Sequence, residues 1–243
     1  MKWEERKFRF EKPTTIAGMV SIVIPTFNRK AFLGERIQEI LNFKYKNWEV
    51  IVVNDGGEPV ESVTPDHPSF KLINLDQNSQ TVSIPRNVGI SYARGEFICP
   101  VDDDVIQADD KLDVLLNNIG DSILCYGNRY DLHKKSNTIR TPAFIADWNP
   151  LNGAGVDNGQ FIYRKSCYEK IPYIVSTHAC DYALAIDLYN HCGKFAYVDI
   201  PVCTYIWHDG NRSLSGKRKT VPLDIEKFKM NFNILNDVGI RAV

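Results

Sequence analysis

The chain has no Cys-x-x-Cys pair, no apolar run of membrane-spanning length and no excess of either charge. Its six cysteines, Cys99, Cys125, Cys167, Cys180, Cys192 and Cys203, show no zinc-ligand spacing. Most stand in apolar stretches, where a reduced core thiol is the ordinary state, so a reducing compartment is expected. The formal net charge of -1 carries no nucleic-acid signature and, with 44% hydrophobic residues, no sign of disorder. The opening Met1-Lys2-Trp3-Glu4-Glu5-Arg6-Lys7 is charged and does not read as a secretory leader. A cytoplasmic location is expected, with peripheral association at a membrane open to the aromatics Trp3, Phe8 and Phe10. Internal repeats, low-complexity tracts and a clear interdomain linker are also lacking.

What is present is an alternation of strand-like and helix-like segments over 243 residues, enough for one large domain or two small ones. Val20–Pro25, Trp48–Val53, Phe70–Leu75 and Phe97–Val101 read as strands. Residues 31–42, 85–95 and 109–119 have helical spacing, and Ser122–Tyr126 reads as a further strand. This pattern predicts an α/β fold, a mostly parallel sheet with helices on both faces. After residue 128 the pattern loosens. Arg129–Leu132, Gln160–Tyr163 and Phe195–Val198 read as short strands, residues 180–192 as a helix, and 223–236 as a C-terminal helix. The segment 133–158, with many Asn, Pro, Gly and aromatic residues, suits a binding loop.

The most informative residues are Asp102, Asp103 and Asp104, which directly follow the apolar run Phe97–Val101. Open α/β sheets bind ligands at the C-terminal edge of their strands. Clustered carboxylates repel one another unless a cation neutralises them, so the triplet suits a divalent ion holding a substrate phosphate. An acidic turn is the alternative, since Asp is common in turns and Asp109-Asp110 follows closely.

Four motifs in order along the chain resemble family 2 glycosyltransferases of the GT-A fold. They are Val20–Arg29 (Val-Ser-Ile-Val-Ile-Pro-Thr-Phe-Asn-Arg), Val50–Gly56, Arg86-Asn87-x-Gly89 with Ala93–Ile98, and Val101–Asp104. The resemblance covers most of residues 19–213. It implies a Rossmann-like sheet flanked by helices with a smaller acceptor-side region. It divides the chain into an N-terminal extension (1–18), a donor-binding half (19–127), an acceptor-binding half (128–222) and a C-terminal helix (223–243).

The resemblance implies metal-dependent transfer of a sugar from a nucleotide-diphosphate sugar, UDP-linked, to an acceptor hydroxyl in glycan or glycoconjugate synthesis, with inversion by single displacement. Pro25, Thr26, Asn28 and Arg29 would border the donor nucleotide. Asp55 would accept from the base imide N–H, though a strand-terminal Asp-Gly is also an ordinary turn cap. Arg86 would contact the donor, Asp102 would contact the ribose or orient the nucleotide, Asp103 would belong to the same donor-binding set, and Asp104 would bind Mn2+ or Mg2+. His208 and Arg212 would serve metal or diphosphate from the Tyr205–Ser213 segment. Trp148, Asp157 and Asn158 would contact sugar, or else be loop packing and turn residues. Asp181 would take the acceptor proton; its other reading is a first-turn charge at the positive end of a helix. The family commonly carries Glu-Asp where this chain has Cys180-Asp181. A sugar-nucleotide pyrophosphorylase or other nucleotidyltransferase would need an early Gly-rich basic loop, and none occurs near Pro25. A non-catalytic nucleotide-sugar-binding protein is the second alternative.

Overall fold

The computed structural model describes residues 13–133, 138–140, 156–168, 180–207 and 240–242. Among these residues ten strands form a single sheet: β1 (Ile16–Thr26), β2 (Trp48–Asn54), β3 (Phe70–Leu75), β4 (Gly95–Pro100), β5 (Val105–Gln107), β6 (Leu124–His133), β7 (Thr138–Arg140), β8 (Phe161–Arg164), β9 (Phe195–Trp207) and β10 (Ile240–Ala242). The helices are α1 (Lys30–Leu41), α2 (Ser83–Ser91), α3 (Lys111–Ile119), the single turn α4 (Lys165–Tyr168) and α5 (Cys180–Cys192).

The sheet order is β10-β3-β2-β1-β4-β8-β6-β9-β5, with β7 paired to β6. Strands β3, β2, β1 and β4 run parallel, as the alternation predicts, and so do β6 and β9. The pairings β4–β8, β6–β8, β6–β7, β5–β9 and β3–β10 are antiparallel. The sheet is therefore parallel from β3 to β4 and mixed beyond β4.

The apolar runs are continuous because helices cover both faces of the parallel strands. Val20, Ile22 and Ile24 of β1 and Val50 and Val52 of β2 pack with Leu33, Ile37 and Ile40 of α1 and Leu112 and Leu115 of α3. The alternate residues Val23, Ile51 and Val53 face the other way, onto Ile84 and Val88 of α2. Leu184, Ala185 and Leu188 of α5 belong to this second core. Period-two alternation thus divides one apolar run between two cores.

Several boundaries differ from the sequence reading. β1 begins at Ile16, inside the segment read as extension. The two short strands expected around 122–132 are one strand, β6, and Phe195–Val198 continues to Trp207. Residues 240–242 are a strand against β3 rather than the end of a helix; pairing with the open edge of β3 satisfies backbone groups that a helix would leave exposed there. The rest of the expected C-terminal helix, and residues 141–155, lie outside the described residues. Cys99, Cys125, Cys167, Cys192 and Cys203 are free thiols. Among the described residues, no helix is long and apolar enough to cross a membrane.

Candidate active site

The chain builds β1, β2 and β3 outward in one direction, then returns to place β4 on the opposite side of β1. The β1–β4 junction is thus a topological switch point, where the two following loops part and leave a crevice. Thr26–Arg29 leaves β1 there, and Val101–Asp104 leaves β4 beside it. Val101 N donates to Val23 O (3.0 Å), continuing the ladder to the brink of the acidic triplet.

Buried Thr26 ties the loops together. Its Oγ1 donates to Asp103 Oδ2 (2.9 Å), and its carbonyl accepts from Asp55 N (2.9 Å) at the end of β2. Pro25 is buried in β1 behind it. Asn28 adopts a φ of 53°, a conformation Asn tolerates better than most residues, and its Oδ1 accepts from Glu58 N (2.8 Å). That turn brings Arg29 back over the triplet, where Nη1 donates to Asp103 Oδ1 (2.9 Å) and Asp104 Oδ2 (2.8 Å). Arg86, buried on α2, pairs with Asp102.

The electrostatics follow from this crowding. Burial pushes the Asp103 carboxyl up to about 6, against the pull of Arg29 and Thr26 and with help from Asp104. Burial also raises Asp102; Arg86 opposes the shift, and the charges of Asp104 and Asp181 add to it. The last contribution matters most for the architecture. Asp181 stands in the first turn of α5, far away in sequence, yet its charge is felt at Asp102. The fold therefore sets Asp181 within electrostatic range of Asp102.

Asp55 is buried and organises the loop after β3. Its Oδ1 accepts from Ser79 N (3.0 Å), and its Oδ2 from Ser79 Oγ (2.9 Å) and Asn78 Nδ2 (3.0 Å). The turn between needs Gly56, whose φ is 70° and where a Cβ would stand 2.3 Å from the Gln77 carbonyl carbon. Sequence reasoning passed over Asn78 and Ser79; the signal was the polar run that ends β3.

Asp157 and Asn158 belong to a 3-10 turn that leads into β8. Asp157 caps this turn and pairs with Arg129 of β6, while its N–H donates to Gln160 Oε1 (3.2 Å). Asn158 is 1% exposed. Gln160 and Arg129, both missed from sequence, hold the turn: Gln160 Nε2 donates to Gly127 O (2.9 Å) and Arg129 Nε to Asp131 Oδ1 (2.9 Å). Fully buried Lys111 supports it from below, donating to Gly159 O (2.8 Å) and Gln107 Oε1 (2.7 Å). Trp148, His208 and Arg212 lie outside the described residues.

Among the described residues, no three His, Cys, Asp or Glu side chains are arranged as a metal cage. The donor set nevertheless suits a hard cation. Asp102 and Asp104 are carboxylates close enough for one charge to disfavour the other. Mg2+ is commonly held by one or two carboxylates with substrate phosphates and water completing the shell. These residues fit an ion shared with a diphosphate.

The architecture is GT-A-like. Staphylococcus aureus TarS 1-349, solved in complex with UDP-GlcNAc, superposes with a TM-score of 0.69 at 19% identity, over 89% of this chain and 65% of that one. The mannosyltransferase PcManGT from Pyrobaculum calidifontis, in complex with GDP-Man and Mn2+, gives 0.66 at 15% identity, over 88% and 64%. The family model for glycosyl transferase family 2 matches residues 21–180, more than half of the sequence, and the chain belongs to that family. The uncharacterized glycosyltransferase YwdF of Bacillus subtilis is 30% identical over 166 residues, 63% of this chain and 61% of YwdF. The poly(ribitol-phosphate) beta-N-acetylglucosaminyltransferase TarP of Staphylococcus aureus is 26% identical over 168 residues, 62% and 50% of the two chains. Across the first relatives the match spans about two fifths to three fifths of their length.

Proposed function

We propose that this chain transfers a sugar from a UDP-linked donor to an acceptor hydroxyl in glycan or glycoconjugate synthesis. The observation that carries this reading is the acidic triplet held by Thr26 and Arg29 at the β1–β4 switch point, the place where such sheets take their ligands. Transfer needs a nucleotide-diphosphate site and, facing it, a base for the acceptor. Family membership and the likeness to donor-bound TarS and PcManGT support the donor half.

In this reading Pro25, Thr26 and Asn28 border the nucleotide, and Asp55 accepts from the uracil imide N–H. Arg86 fixes Asp102, which orients the donor, and Arg29 supplies positive charge to its phosphates. Asp104, with His208, would hold Mn2+ or Mg2+, which would stabilise the diphosphate as it leaves. Asp181 takes the acceptor proton. The acceptor oxygen attacks the anomeric carbon opposite the leaving diphosphate, the anomeric bond breaks, and configuration inverts. Trp148, Asp157, Asn158 and Arg212 line the sugar side, with Asp157 held by Arg129. Residues 19–127 form the donor half and 128–222 the acceptor half. The protein works in the cytoplasm, peripherally at a membrane where its acceptor is lipid-linked.

Two measurements test this. Binding and slow hydrolysis of UDP-, GDP-, dTDP- and CMP-sugars, with and without Mn2+, should single out a UDP-sugar in the presence of metal. Binding of none of them removes the donor assignment. Asp181→Asn should keep donor affinity and lower transfer about a hundred- to ten-thousandfold. Wild-type transfer by that variant rules Asp181 out as the base.

A further inference from the structure

One nitrogen of Arg29 bridges two consecutive carboxylates, Asp103 at 2.9 Å and Asp104 at 2.8 Å. The side chains are 6% and 12% exposed for the two acids and 30% for the arginine, so these pairs are partly withdrawn from water. Charge-assisted bonds in such a setting are stronger than surface ion pairs. The positive φ of Asn28 and the grip of Thr26 on Asp103 fix this geometry from both sides. The arginine therefore already supplies positive charge to Asp104, the carboxylate read as the metal ligand.

We propose that Arg29 is the built-in counter-cation of the acidic triplet and makes metal binding depend on donor binding. This rests on the reading of Asp104 as a metal ligand. A divalent ion at Asp104 must either displace the guanidinium from Oδ2 or bind beside its positive charge. A donor diphosphate changes that competition, because its oxygens give the guanidinium a planar, bidentate partner in place of Asp104. Metal and diphosphate thus favour the same displacement of Arg29, and each tightens the other by the same factor. The arginine also limits the charge left in the crevice before substrate arrives, since Asp102, Asp103 and Asp104 would otherwise repel one another.

The test is Mn2+ binding by the full chain, read from the electron paramagnetic resonance of free Mn2+, with and without UDP. Wild type should bind Mn2+ alone weakly and about tenfold more tightly with UDP. Arg29→Gln should bind Mn2+ alone about five- to tenfold more tightly than wild type, and the UDP enhancement should shrink to less than about threefold. Arg29→Lys keeps the charge without the planar fork, and should shift the same way by less. It also carries the test if Arg29→Gln does not fold. Unchanged or weaker binding of Mn2+ alone by these variants, or an undiminished UDP enhancement, overturns the proposal. Asp104→Asn separates the two ideas. If it leaves Mn2+ binding intact, the metal reading of Asp104 falls and the proposal falls with it. If it abolishes Mn2+ binding while the Arg29 variants behave as wild type, only the role of Arg29 falls.

Discussion

Asp103 shows what burial does to a single side chain. Its folded-state pKa of about 6 lies above the ordinary 3.8, because loss of water outweighs its bonds to Arg29 and Thr26. Between those two values the native chain holds a proton that the unfolded chain has released. Stability should therefore fall as pH rises from about 4 to 6, and the loss should be complete above 6. Asp103→Asn should flatten that slope in urea unfolding followed across the same pH range; an unaltered slope would place its origin elsewhere. Sequence identified Asp103 as one of three acids but could not rank them. Only the positions of Thr26, Arg29 and Arg86 distinguish Asp103, bridged by Arg29, from Asp102, paired with Arg86.

Among the elements, α2 lies close against the sheet. A Cβ at Gly89 would stand 2.5 Å from Val23 Cγ1 and 3.1 Å from Val53 Cγ2, so the helix lies against β1 and β2 with no room for a methyl. Helix propensity alone predicts that Gly89→Ala gains up to about 1 kcal/mol. Overpacking against two β-branched core residues predicts a loss of about 1–3 kcal/mol instead. The urea midpoint should fall, and a rise would show that the sheet yields. The close approach has a bearing on the site, because α2 also carries Arg86 to Asp102. The neighbouring Ala93–Glu96 motif is different. Arg94 binds Glu49, the Gly95 N–H binds Ser21 Oγ (2.8 Å), and Glu96 binds Arg164, all away from the crevice. Its part is to lock the start of β4 to β1 and β2.

At the scale of the whole molecule, the strands before residue 127 and those after it share one sheet. β4 pairs on one edge with β1 and on the other with β8, and β6 lies beyond β8. A fragment ending at residue 127 would expose the β4 edge and cut β6 short. It should lack a cooperative urea transition, whereas the full chain should unfold as one unit; a cooperative transition in the fragment would show two independent domains. The direction of the strands also matters. β6 runs with β4, through two antiparallel steps, and β9 runs with β6, so β1, β4, β6 and β9 all end on the edge that bears the carboxylates.

The sequence by itself determined the alternation of strand and helix, the two-faced burial of the parallel strands and the family. Those depend on local periodicity and on motifs whose residues are close neighbours in the chain. It also marked Asp55, the acidic triplet and Asp181 as the residues to watch. The tertiary structure alone decided that β6 and β9 are long strands, that residues 240–242 close the β3 edge, and that Arg29 bridges Asp103 and Asp104. It alone brought the charge of Asp181 to Asp102. These features depend on pairing and proximity between segments tens of residues apart, which local pattern does not encode.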